Sequence, residues 1–135
     1  MNPNHLSTIG NGIYVNTSHI SNAGYGLFSS KSFFRGDFIT LYDGINLSRN
    51  EAWTTKVKTH MCTREGVYVD GIKTPITGRG GGSFCNTTSL KRDANAQIVG
   101  NLGFILIRCL KPIKEDEEIL VFYKQPYLKD FKPSL

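Results

Sequence analysis

Three features of the sequence predict a mostly β domain made of several small, twisted sheets. Short runs rich in β-branched and aromatic residues recur along it: GIYV (12–15), FITLY (38–42), GVYVD (66–70) and ILVFY (119–123). Fourteen glycines break the chain into turns between them. Only one stretch, opening at Ser48, carries a clear helix-start pattern.

Taken in order, residues 1–10 are polar and predict a loose arm, and residues 12–15 predict the first strand. Asn22-Ala23-Gly24-Tyr25-Gly26 predicts a turn, after which Leu27-Phe28 begins a strand. A second turn over 33–37 leads into a strand at 38–42, closed by Asp43-Gly44. Ser48 and Glu51 form a capping box, so a helix is expected over about 49–58, with Trp53 and Val57 sharing its inner face. Residues 66–70 predict a strand and 72–82 a loop. Residues 97–99 and 104–110 predict a hairpin around Gly100-Asn101, ended by Pro112. A charged turn at 114–118 precedes the last strand, 119–123. The expected organisation is an arm (1–10), one domain (11–124) and a tail (125–135) that holds two prolines and little pattern.

Composition narrows the function classes. Hydrophobic residues at 39% and charged residues at 20% indicate a globular rather than a disordered chain. No apolar run approaches ~18 residues, so no membrane span is expected. The first ten residues lack a basic n-region and an apolar h-region, so an intracellular rather than secreted protein is expected. The net charge of +5 is spread without any run of five basic residues, which reads as a solvated surface and offers no direct nucleic-acid motif. Cys62, Cys85 and Cys109 are odd in number and far apart, so neither zinc nor a disulfide framework is expected.

The chemistry-bearing patterns are few. Gly78-Arg79-Gly80-Gly81-Gly82 lacks the Lys-Ser/Thr pair and the following helix of a phosphate loop. Gly24-Tyr25-Gly26 leads into a strand, unlike a dinucleotide-binding turn. His5, His19 and His60 are scattered, and no GxSxG elbow occurs. What remains is the polar, glycine-rich stretch 80–96, with Asn86 and Asn95, and Tyr123 closing the last apolar run. Tyr123 reads either as a satisfied core residue or as a phenol that orients an amine. Asn86 can donate and accept, which suits either a polar ligand or a braced loop.

The order of the motifs carries more than any one of them. The chain runs Ala23-Gly24-Tyr25-Gly26-Leu27-Phe28, then Tyr42-Asp43-Gly44, then Val67-Tyr68-Val69-Asp70. Phe84-Cys85-Asn86 and Ala94-Asn95-Ala96 follow, and Glu117-Glu118-Ile119-Leu120-Val121-Phe122-Tyr123 comes last. This series resembles the SET domain of S-adenosylmethionine-dependent protein-lysine methyltransferases, over about residues 11–124. The resemblance implies a β-clip fold of small curled sheets with one or two short helices and a knot-like C-terminal threading. It implies that Ala23, Gly24, Tyr25 and Gly26 wrap the methionine end of S-adenosylmethionine and that Asn86 and Thr87 hold the rest. Tyr123 would be the catalytic tyrosine, and Tyr42, Tyr68 and Val121 would face the substrate lysine. Val121 stands where the family often has an aromatic residue, which implies room for more than one methyl group.

The family's Asn-His-Ser reads Asn86-Thr87-Thr88 here, so the imidazole is absent; Ala94 replaces a proline and Asp116 a glycine. Without cysteine-rich flanks, the chain most resembles the minimal, free-standing SET proteins of large DNA viruses. These act on histone tails and pair as dimers. The resemblance therefore implies a peptide or protein substrate, histone H3 by default, a homodimer and a nuclear location. The alternative is a SET-fold module that has lost efficient catalysis and binds a partner. Asp43, Asp70 and residues 115–118 are the acidic groups available to attract a basic tail.

Overall fold

The final apolar run becomes the centre of the architecture. A computed structural model describes residues 7–54, 61–64 and 66–122. They form strands β1 (Ser7–Gly10), β2 (Ile13–Thr17), β3 (Tyr25–Ser29), β4 (Phe38–Leu41), β5 (Gly44–Leu47), β6 (Met61–Arg64) and β7 (Val67–Gly71). The later strands are β8 (Asn86–Thr87), β9 (Ala96–Asn101), β10 (Phe104–Cys109) and β11 (Glu118–Val121). The single α-helix among them, α1, spans Arg49–Thr54. The mostly β class expected from the sequence is what the structure has.

Two sheets organise these strands. The large one runs β1-β2-β3-β11-β9-β10-β4, and β8 pairs with β11 off this path. The small one runs β5-β7-β6. β11 meets β3 antiparallel, with Glu118 opposite Phe28, and meets β8 and β9 in parallel. A parallel partner must come from a distant part of the chain, and here the partners lie across residues 86–96. Ile9, Ile13, Leu27, Ile39, Ile105, Ile107, Ile113, Ile119 and Val121 fill the core of the large sheet. Each such side chain contributes about 1.5–3 kcal/mol by leaving water.

Several local expectations need correction. Ser7–Gly10, taken as part of a loose arm, pairs with β2, and Ile9 is fully buried. Tyr25 and Gly26 belong to β3 rather than to a turn, because they pair with Thr17 and Asn16. The hairpin between β9 and β10 turns at Leu102-Gly103, both with positive φ, and not at Gly100-Asn101, which lie in β9. β5 and β6 were not anticipated. The helix keeps its capping box, with Ser48 N–H donating to Glu51 Oε1 at 2.8 Å and Glu51 N–H to Ser48 Oγ at 3.1 Å. Its expected continuation past Thr54, including Val57, lies outside the described residues, as do residues 1–6 and the tail.

The glycines at 80–82 serve packing. A Cβ on Gly81 would stand 2.8 Å from Ile9 Cδ1 and 3.1 Å from both Ile13 Cδ1 and Leu27 Cδ1. One on Gly82 would stand 2.9 Å from Tyr42 Cα. Only a bare backbone lets this segment lie against the end of β4 and the core. Gly81 N–H then donates to Thr40 Oγ1 at 3.0 Å.

Candidate functional site

The polar side chains with the densest bonding gather around β11. Asn95, 8% exposed, binds that strand along its backbone: Leu120 N–H donates to Asn95 Oδ1 at 2.8 Å, and Asn95 Nδ2 donates to Glu118 O at 2.9 Å. Asn95 N–H donates to Leu120 O, and its own carbonyl accepts from Leu110 N–H. Asn95 is therefore a brace that replaces several rungs of a sheet ladder. Asn86, on β8, lies opposite Leu120 of β11. Its Nδ2 donates to Tyr25 O at 2.9 Å and to Glu118 Oε2 at 3.3 Å. Both partners only accept, so the amide orientation is determined and Asn86 Oδ1 stays available as an acceptor.

Glu118 is the group that sequence reasoning missed. It was read as the end of a charged turn, yet it is 4% exposed. Its carboxylate accepts from Ser18 Oγ at 2.7 Å and from His19 N–H at 2.8 Å, as well as from Asn86. The available signal was its position in register with the apolar run that follows it. Cys85 lies close by, and burial together with the Glu118 charge pushes its thiol well above the usual range. It stays protonated and is a poor nucleophile.

The residues nominated from the sequence fall into two groups. Tyr25, Gly26 and Asn86 come together, and Thr87 follows along β8, exposed. Ala23 is half-buried, while Gly24 and Tyr25 are exposed, so residues 23–25 form an open strip beside Asn86. Tyr42 stands elsewhere, lining a cleft of about 230 Å3 with Asn46, Val69 and Phe104. Tyr68 neighbours Val69 in β7, so it points to the opposite face and packs beside Ala52 and Leu47. Val121 is buried in the core, opposite Ala96 and Thr87. Tyr123 lies outside the described residues.

Two of the acidic groups nominated for a basic tail already have partners. Asp43 accepts from Arg79 Nε and Nη2, and this hydrogen bonding holds its carboxyl below the usual range. Asp70 pairs with Lys73 at 3.0 Å. A second cleft, of about 330 Å3, opens on the far side of Glu118 between His19, Ile20, Asn95, Lys111 and Glu117. Among the described residues no group of three or more His, Cys, Asp or Glu side chains is placed to hold a metal ion. No helix among them is long and apolar enough to cross a membrane.

The deciding comparison is with protein families: the SET domain matches residues 24–124, from the exposed strip through β11. The chain belongs to the SET-domain family. The SET fold also appears among solved structures. One is the crystal structure of the Chaetomium thermophilum polycomb repressive complex 2, at 24% identity and TM-score 0.66. The match covers 87% of this chain and 16% of that one. Another is ctPRC2 in an autoinhibited conformation bound to S-adenosylmethionine, at 22% identity and TM-score 0.65, with the same coverages of 87% and 16%. At these identities the likeness is one of fold, and this SET chain spans a small part of the chains it matches. No curated protein matches it.

Proposed function

We propose that this SET-domain protein is an S-adenosylmethionine-dependent protein-lysine N-methyltransferase acting on a histone tail, with histone H3 as the first substrate to test. The observation that supports this reading is the junction of Gly26, Asn86 and β11, with the open strip 23–25 beside it. The residues present fit the cofactor. Asn86 Oδ1 can accept from an amine, Gly24 leaves backbone accessible, and exposed Thr87 offers a hydroxyl and main chain. Bound there, the cofactor supplies an electrophilic methyl group. Ala23, Gly24, Tyr25, Asn86 and Thr87 would bind and orient it. The phenol of Tyr123 would hold the incoming lysine amine in line without itself changing charge, so that alignment supplies much of the rate. A neutral amine is required, which a desolvated aromatic channel favours. Val121 carries no aromatic ring, so products beyond the monomethyl form are expected; strict monomethylation of an H3 peptide would count against that point. A homodimer, whose second copy walls the lysine channel, and a nuclear location belong to the same proposal.

Calorimetric titration with S-adenosylmethionine, followed by turnover on histone peptides, tests the reading. One-to-one binding is expected, with turnover that Tyr123→Phe lowers by about a hundredfold or more. Binding without turnover on any histone peptide would favour a second reading, a SET module that recognises a partner. The feature behind that second reading is Thr87, where the family carries an imidazole. If Thr87→His sharply raises cofactor affinity, the natural chain is a weakened enzyme.

A further inference from the structure

We infer that Glu118 is a positioning residue for the cofactor-facing segment, residues 18–25, an inference that rests on the methyltransferase reading above. The geometry is that of a single buried carboxylate tying both ends of one loop to β11. Oε2 accepts from Ser18 Oγ at 2.7 Å, and Oε1 from His19 N–H at 2.8 Å, at the start of the loop. Oε2 also accepts from Asn86 Nδ2, which in turn donates to Tyr25 O at the loop's end. Inside, the loop braces itself: Ser18 N–H donates to Gly24 O at 2.8 Å, Ala23 N–H to Ile20 O at 3.2 Å, and Ile20 N–H to Ser18 Oγ at 3.0 Å.

A carboxylate that is 4% exposed is costly to bury unless donors occupy its lone pairs. Every donor recorded here is neutral, and among the described residues no ion pair reaches Glu118. An apolar side chain at the head of β11 would avoid that cost. What the acid provides is geometry, because one planar group sets Ser18, His19 and Asn86 relative to one another. Gly26 has the matching shape. A Cβ there would stand 3.1 Å from both Asn86 Nδ2 and Glu118 Cδ, and nearer still to Glu118 Oε2. The second glycine of the Gly-x-Gly pair therefore makes room for the carboxylate. Residues 21, 22, 24 and 25, held from behind, keep their outer side exposed.

The test uses the full chain carrying Glu118→Gln or Ser18→Ala. Gln keeps the shape but offers one acceptor oxygen in place of two; Ser18→Ala removes one donor and leaves the acid, and serves if the first variant does not fold. Three readouts are compared: His19 amide exchange by NMR, S-adenosylmethionine affinity by calorimetry, and steady-state kinetics on an H3 peptide. In Glu118→Gln, His19 exchange and the cofactor Kd are each expected to rise about tenfold, the scale of one charge-assisted hydrogen bond. In Ser18→Ala about threefold is expected on the same scale. The KM for peptide should stay within twofold, roughly unchanged, because a loop-positioning defect does not touch the peptide groove. Faster exchange with unaltered cofactor affinity overturns the positioning role, as does unaltered exchange. If the natural protein binds no cofactor, the methyltransferase reading fails. His19 exchange then decides alone whether Glu118 holds the loop: faster exchange supports it and unchanged exchange sinks it.

Discussion

The surroundings of β11 and the outer strand β5 of the small sheet treat their side chains differently. Around β11 they are buried and bonded inward: Asn95, Glu118 and Ser29 are each less than 9% exposed and each has recorded partners. In the small sheet Cys62, Thr63 and Val69 are buried, but on β5 Ile45 is 66% exposed and Asn46 faces out. A buried group left without its partner costs about 1–3 kcal/mol, whereas an exposed one turns to water. The strands around β11 therefore fix atomic positions, whereas the exposed positions of β5 can accept sequence change at little cost to the fold.

Core truncation should separate the two sheets most widely. Ile119→Ala is expected to destabilise by roughly 2–5 kcal/mol and Ile45→Ala by less than about 0.5 kcal/mol, read from urea midpoints. Equal costs would mean that Ile45 is covered in solution and would break the contrast. Next comes the polar pair. Asn95→Ala orphans Leu120 N–H and Glu118 O and should cost about 2–4 kcal/mol, while Asn46→Ala should be close to neutral.

Titration sharpens the comparison at high pH. Tyr14, 4% exposed, donates to Asp116 at 2.8 Å. Burial first, and then that hydrogen bond, push its pKa up to about 12. The folded state thus favours the neutral phenol. Its stabilising share is complete below the unfolded value of about 10 and is lost as pH rises from there through about 12. Tyr14→Phe should flatten the fall in thermal midpoint across that window; an unchanged slope would place its cause elsewhere. On the small-sheet side, Ser48→Ala removes the helix cap and should cost about 1 kcal/mol, visible as fraying of α1 by NMR.

Legibility followed the same divide. β2, β4, β10 and β11 were readable because apolar and β-branched residues recur where one face is buried, and α1 because Ser48 and Glu51 lie three apart. β5 (GINL) and β6 (MCTR) were not, being four residues long, partly polar and held mainly by β7. β8 is two residues whose conformation comes from parallel pairing with a strand more than thirty positions away. The β9–β10 turn was misplaced because positive φ favours Gly and Asn, and here Leu102 adopts it. Gly26 and Asn86, nominated through motif order, do come together beside β11. Glu118 was hidden because a charged residue next to acidic neighbours reads as surface, and its burial is decided by Ser18, His19 and Asn86, which arrive from afar. An aromatic in a strand carries no sign of which face it takes, and Tyr68 packs beside Ala52 and Leu47.

The placement of β11 also bears on synthesis. β3, β8 and β9 all leave the ribosome before residues 118–121 do, and none of them has its central partner until then. The nascent chain therefore carries unsatisfied strand edges through most of translation, a state prone to wrong pairing and in need of shielding. Contacts this distant in sequence also slow the closing step once the chain is free.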